Sequence, residues 1–189
     1  TSAGGARAKA ILAWNPETQE FRSGQLDLEP GFEHWLLKFD GITSNRDKEI
    51  TDPLGYGKIE YAYHQIAVEI GIEMMECRLH HEGGRSHFMT RRFDRTDQGG
   101  KIHMQTLGAI AHYDYNLAGG YSYEQAVQVM KRLELGYEDI QQQVLRTFFN
   151  IIGRDQDDHV VDPAIGSGEP RNGRQLRELG LPAPEVHPT

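Results

Sequence analysis

Phe148-Phe149-Asn150-Ile151-Ile152-Gly153-Arg154-Asp155-Gln156-Asp157-Asp158-His159 is the stretch around which the rest of this chain can be ordered. An apolar run stops at Gly153, and four of the next six residues are Asp or His. A core helix that ends at a glycine and then presents carboxylates and an imidazole on a loop holds reactive groups on a rigid base. An ionised Asp only accepts hydrogen bonds, so it can take a hydroxyl proton or bind a hard cation such as Mg²⁺. Taken alone, the pattern equally describes a solvated acidic turn behind a core helix, the more ordinary of the two. Two other stretches shift the balance: Ser2-Ala3-Gly4-Gly5-Ala6-Arg7-Ala8-Lys9 and His34-Trp35-Leu36-Leu37-Lys38-Phe39.

The 189 residues suffice for one domain, or for two small lobes sharing a cleft. Hydrophobic residues make up 38% and charged residues 25%, the balance of an ordinary globular protein rather than a disordered one. The net charge of −8 argues against non-specific nucleic-acid binding by the chain itself, although Arg85, Arg91, Arg92 and Arg95 cluster locally. A single cysteine, Cys77, excludes an internal disulfide framework and fits a reducing cytoplasm. No run reaches the length of a membrane span. The chain opens inside an apparent functional motif, which suggests a piece of a longer protein.

Periodicity predicts a strand over 8–15, a returning strand near 20–23 and a buried strand over 35–39. Residues 41–57 hold four Gly or Pro breakers and are expected as a loop. A helix follows over 58–70, with Ile59, Tyr63, Ile66, Ala67 and Ile70 on its buried face and Gly71 ending it. Strands over 76–81 and 85–92 flank Glu82-Gly83-Gly84, a hairpin signal. The polar stretch 94–101 marks a lobe boundary, followed by a short helix over 103–112. Ser122 and Gln125 form a capping box ahead of a helix over 123–133. A last helix over 137–152 is expected to turn Ile140, Val144, Phe148, Ile151 and Ile152 inward. From Val160 the chain is rich in Gly and Pro and reads as largely irregular.

Several residues stand out chemically. Glycines before a strand let backbone amides approach a polyphosphate, although a flexible Gly-rich start has the same appearance. Lys38 is alone in an apolar strand, and a lysine there pairs, binds an anion or faces water at an edge. Glu60 lies in the first turn of the predicted helix, where the dipole favours it and where it can orient Lys38. The order Gly-rich turn, strand lysine, helix, hairpin, hinge, helices, Asp loop suits phosphoryl transfer from ATP, in which catalysis is positioning plus charge neutralisation.

The chain resembles the HipA family of bacterial serine/threonine kinases, the toxins of type II toxin–antitoxin pairs, from about Ser2 to His159. Ser2–Lys9 is similar to the family's Gly-rich nucleotide loop, which implies ATP contacts at Ser2, Gly4, Gly5, Ala6 and Lys9 and autophosphorylation at Ser2. Leu36-Leu37-Lys38-Phe39 is similar to the strand with the phosphate-binding lysine, implying Lys38. Thr90-Arg91-Arg92-Phe93-Asp94-Arg95 resembles the hinge that receives adenine, implying Arg92, Phe93 and Asp94. Asn150–His159 resembles the catalytic loop, which implies Asp157 as base with His159 beside it. Where the family has an Mg²⁺-binding Asn this chain has Asp162, and residues 163–189 contain no Asp for the second metal ligand.

The resemblance implies a truncated α+β, two-lobed protein-kinase-like fold. Residues 1–94 form a β-rich nucleotide lobe ending in the hinge, 95–159 a helical lobe with the catalytic loop, and 160–189 a divergent tail. It implies a cytoplasmic ATP- and Mg²⁺-dependent protein kinase with a protein substrate and a DNA-binding antitoxin partner. The rival readings are a catalytically impaired remnant that binds nucleotide or the antitoxin, and a metal-binding module built on Asp155, Asp157, Asp158, His159 and Asp162.

Overall fold

The computed structural model describes residues 8–25, 29–41, 54–96, 98–113, 121–153, 164–167 and 175–177. It is a mixed α/β protein with antiparallel sheets and, among these residues, four helices. The chain divides into two compact units.

The first unit is built on a five-stranded sheet of order β2-β1-β3-β5-β4, every pairing antiparallel. Its strands are β1 (Lys9–Trp14), β2 (Phe21–Ser23), β3 (Glu33–Lys38), β4 (Cys77–Glu82) and β5 (Arg85–Arg91). β3 is central, and His34 to Leu37 are all buried, which explains its near-continuous apolar sequence. Trp35 is fully buried and meets Trp14 edge-on at 5.5 Å, with Leu37 and Met89 completing the core. The β4–β5 hairpin turns on Gly83 and Gly84, whose φ values of 55° and 76° demand residues without a Cβ penalty.

Helix α1 (Tyr56–Glu69) follows β3 and begins two residues before the sequence suggests. Its buried face differs from the predicted one. Ala67 is buried as expected, but Gly57 and Glu60 are buried with it, whereas Ile59, Ile66 and Ile70 are 37%, 49% and 47% exposed. The reason is a close approach: a Cβ on Gly57 would strike the Ser86 carbonyl of β5, so α1 can approach only with its glycine face inward.

The second unit includes the end of α1, β6 (His103–Thr106), α2 (Leu107–Ala111), α3 (Tyr123–Arg132), α4 (Tyr137–Gly153), β7 (Ala164–Ser167) and β8 (Gln175–Arg177). The helix expected over 103–112 is corrected: its first half is strand β6, and Thr106 then caps the five-residue α2. β6 pairs with β7, some sixty residues on, a partner no local pattern announces. Strands β7 and β8 also lie inside the tail expected to be irregular. The capping box at Ser122 and Gln125 is present, and Leu107, Ala126, Val129, Met130 and Leu135 form this unit's core.

The inward face expected for α4 is likewise corrected. Ile140 packs partly buried against the unit's core as expected, but Val144, Phe148, Ile151 and Ile152 are exposed, and Gln143, Arg146, Phe149 and Asn150 are buried. The helix docks by its polar side. Arg146 donates to the Glu73 carbonyl at 2.7 Å, and Gln142 bonds both the Gly71 carbonyl and the Glu73 N–H. An unsatisfied backbone loop thus takes the face that apolar periodicity assigns to the core.

Candidate functional site

Lys38 closes β3, and Glu60 lies in the second turn of α1. Lys38 Nζ is 3.0 Å from Glu60 Oε2, and the side chains are only 17% and 4% exposed. The lysine's ammonium also lies 5.6 Å from the centre of the Phe88 ring. A charge in an apolar strand needs a counterion, and α1 supplies it. Lys9 stands directly opposite Lys38 in the β1–β3 register, so two of the candidate phosphate-binding residues share one end of the sheet.

The other end of β3 holds the remaining described candidates. Arg92, just past β5, donates its backbone N–H to the His34 carbonyl. Four residues of strand, about 13 Å, therefore separate this segment from Lys38. Phe93 is 2% exposed. Asp94 accepts two bonds from Arg92, at 2.8 and 2.5 Å, and one from Arg95 at 2.6 Å. Burial pushes the Asp94 carboxyl up, but the Arg92 bonds and the two guanidinium charges outweigh it and hold the group below its ordinary range. The exit from β5 is thereby locked by a buried cation–anion–cation cluster.

Beside that cluster is a pocket of about 390 Å³ whose walls include Phe32, Glu33, His34, Arg91, Arg92 and Arg95. His34 is buried, and among the described residues its Nδ1 has no hydrogen-bond partner. Burial, and then the charges of Arg95 and Arg92, push its pKa down, so the imidazole is neutral at pH 7.

Sequence reading missed two buried polar residues, Asp40 and His87, that tie the end of β3 to α1 and β5. Asp40 is 3% exposed, and its carboxylate accepts from Gly55 N–H, immediately before α1, at 2.9 Å. Its own N–H donates to His87 Nδ1 at 2.9 Å. Nothing local marks either residue, because the contacts span 15 and 47 positions. Cys77 is buried near the ion pair, its thiol donates to the Met75 carbonyl, and burial pushes that thiol up to about 11. It is a packing residue rather than a nucleophile.

Ser2, Gly4, Gly5, Ala6, Asp155, Asp157, Asp158, His159 and Asp162 lie outside the described residues. Among the described residues no group of three or more His, Cys, Asp or Glu is placed to hold a metal. None of the described helices is long and apolar enough to cross a membrane.

No curated protein matches the chain. Among solved structures, the fold is similar to a chain of the Shewanella oneidensis toxin–antitoxin complex of HipA, HipB and operator DNA. The TM-score is 0.66 at 14% identity, over 94% of this chain and 42% of that one. At that identity the likeness concerns the fold, and this chain spans less than half the length of its counterpart. The family model described as the HipA-like C-terminal domain matches residues 1–165, most of the sequence, and the chain belongs to that family.

Proposed function

We propose that this chain is the nucleotide-binding and catalytic part of a HipA-type serine/threonine kinase, the toxin of a toxin–antitoxin pair. The single observation that carries the reading is the buried Lys38–Glu60 pair. Protein kinases depend on a strand lysine held by a glutamate from the neighbouring helix, and both must be in place for phosphoryl transfer. Here the lysine ends a central strand and the glutamate comes from α1, which directly follows it in the chain order of elements.

In this reading residues 1–94 and 95–159 form two kinase-like lobes, with 160–189 as a divergent tail. Glu60 fixes the Lys38 ammonium where phosphate oxygens need charge compensation. Lys9 and the amides of Ser2, Gly4, Gly5 and Ala6 approach the same phosphates, and Arg92-Phe93-Asp94 receives the adenine. Asp157 accepts the proton of the target hydroxyl, with His159 beside it, and Ser2 is the autophosphorylation site. Mg²⁺, held by Asp162, supplies charge neutralisation when bound. The residues present fit the nucleotide because a mostly buried lysine, placed opposite Lys9 at one end of the sheet, concentrates positive charge where an anion can be compensated. The family membership supports a DNA-binding antitoxin as partner and the reducing cytoplasm as setting, which suits the single buried Cys77. A second reading keeps nucleotide binding without efficient transfer; it is favoured by Asp162, whose charge repels phosphate where the family pattern has a neutral amide.

Titration with a fluorescent ATP analogue, with and without Mg²⁺, tests the reading. Lys38→Ala is expected to weaken binding about tenfold or more while the circular dichroism of the fold is retained. Asp157→Gln should leave binding intact and remove phosphate transfer to Ser2, read by mass spectrometry. Tight binding by Lys38→Ala would overturn the site.

A further inference from the structure

We propose that Asp40 and His87 form a positioning brace that sets Glu60 against Lys38, and that the brace opens when His87 takes a proton. The inference rests on the nucleotide-site reading above, and its geometry stands on its own.

Asp40 lies two residues beyond Lys38 and is 3% exposed. Its carboxylate accepts from Gly55 N–H through Oδ1 at 2.9 Å and Oδ2 at 3.2 Å, and more weakly from Ser86 N–H at 3.5 Å. Gly55 in turn accepts from the N–H groups of Lys58 and Ile59, which makes it the residue that opens α1. One buried carboxylate therefore joins the exit of β3, the start of β5 and the first turn of α1. With Gly57 seated against the Ser86 carbonyl, the helix has one position and one rotation available. That rotation places Glu60, within the next turn, 3.0 Å from Lys38.

His87 holds the brace from β5. Its Nδ1 accepts the Asp40 N–H at 2.9 Å, so Nδ1 is unprotonated and the ring proton sits on Nε2. An imidazolium has donors at both nitrogens and cannot accept that bond. The groups facing His87 are His80 on β4, stacked at 6.3 Å, the Phe39 ring at 5.6 Å, and the charges of Asp40, Glu82 and Arg85. Burial and then His80 push the imidazole below its ordinary value of 6.5, against the opposing pull of Asp40 and Glu82. The brace is thus closed at neutral pH and opens on acidification, when Nδ1–H meets the Asp40 N–H head-on. The expected consequence is a loosened start of α1 and a displaced Glu60.

The test uses the whole chain, first without nucleotide. Two-dimensional ¹⁵N–¹H spectra from about pH 8 to about pH 5 follow the Asp40 and Gly55 amides and the Lys38 ammonium. All three are expected to move with one midpoint below 6.5. His87→Asn keeps an acceptor near Nδ1 but does not titrate; it should retain the spectrum seen at about pH 8 and abolish the midpoint. His87→Leu should show the acid-form shifts at every pH. Affinity for the fluorescent ATP analogue should fall about tenfold on acidification in the native chain, the scale of one lost hydrogen bond, and stay flat in His87→Asn. Coupled shifts with no nucleotide bound at any pH would uphold the brace and overturn the nucleotide reading. Lys38 signals that ignore the His87 titration, or identical affinity profiles for the native chain and His87→Asn, would overturn the brace.

Discussion

Among single residues, Lys38 and Glu60 form a mostly buried ion pair at the heart of the candidate site. Removing one partner leaves a buried charge without compensation, which costs about 3–5 kcal/mol, whereas replacing both with apolar residues of similar size is often nearly neutral. Glu60→Ala is therefore expected to lower stability by about that amount in urea denaturation, and Lys38→Met combined with Glu60→Leu to recover most of it. Equal losses in the single and double variants would mean that packing, not charge, holds α1 to the sheet. Lys38 was legible in the sequence because a lone cation in an apolar strand violates the burial rule. Asp40 and His87 were not, because a polar residue's partner is invisible when it lies on a distant segment of the chain. The Asp40–His87 contact, 47 residues apart, depends on the β3–β5 register, which only the folded sheet supplies.

Among elements, the strands of the five-stranded sheet and its hairpin followed the sequence closely; β6, β7, β8 and the faces of α1 and α4 did not. Two-residue periodicity and the Gly83-Gly84 turn are local signals, as is the capping box at Ser122. A helix face is chosen by what the helix meets. α1 meets a β5 carbonyl at Gly57, and α4 meets the backbone of 71–73 through Gln142 and Arg146. α1 therefore buries small or polar residues, α4 buries Gln143, Arg146 and Asn150 beside Phe149, and Ile59, Ile66, Ile151 and Ile152 stay outside. Gly57→Ala follows directly. In an open helix the change would add about 1 kcal/mol of stability, because alanine is the better helix former. Here the new methyl falls on the Ser86 carbonyl, a backbone atom that cannot turn aside. The variant is expected to be less stable than the parent and to bind nucleotide more weakly, through the shift of Glu60. A gain in the urea midpoint would show that the helix has room to move and does not position the glutamate.

At the scale of the molecule, three buried or partly buried histidines make the stability of the sheet unit depend on pH. His34, His64 and His87 all belong to the sheet unit, and burial, the leading cause for each, lowers their pKa from 6.5. A group whose folded pKa is depressed binds its proton more readily in the unfolded chain, so stability rises with pH between the two values. Their neutral forms thus support the fold fully above about 6.5, and that support is lost as pH falls below it. Asp94 works lower down: because its pKa is depressed, its contribution is full above the ordinary carboxylate value and is lost as pH falls from there through the folded value. Between those limits the histidines decide the slope. Both tryptophans of the chain, Trp14 and Trp35, lie in the core of the same sheet, so their fluorescence reports this unit. The urea midpoint followed by tryptophan fluorescence is expected to fall steadily from about pH 6.5 to about pH 5, with a shallower slope in His87→Asn and a shallower one still when His34→Leu is added. Slopes unchanged by both substitutions would place the acid-sensitive groups elsewhere and leave the buried histidines without a part in the stability of the sheet.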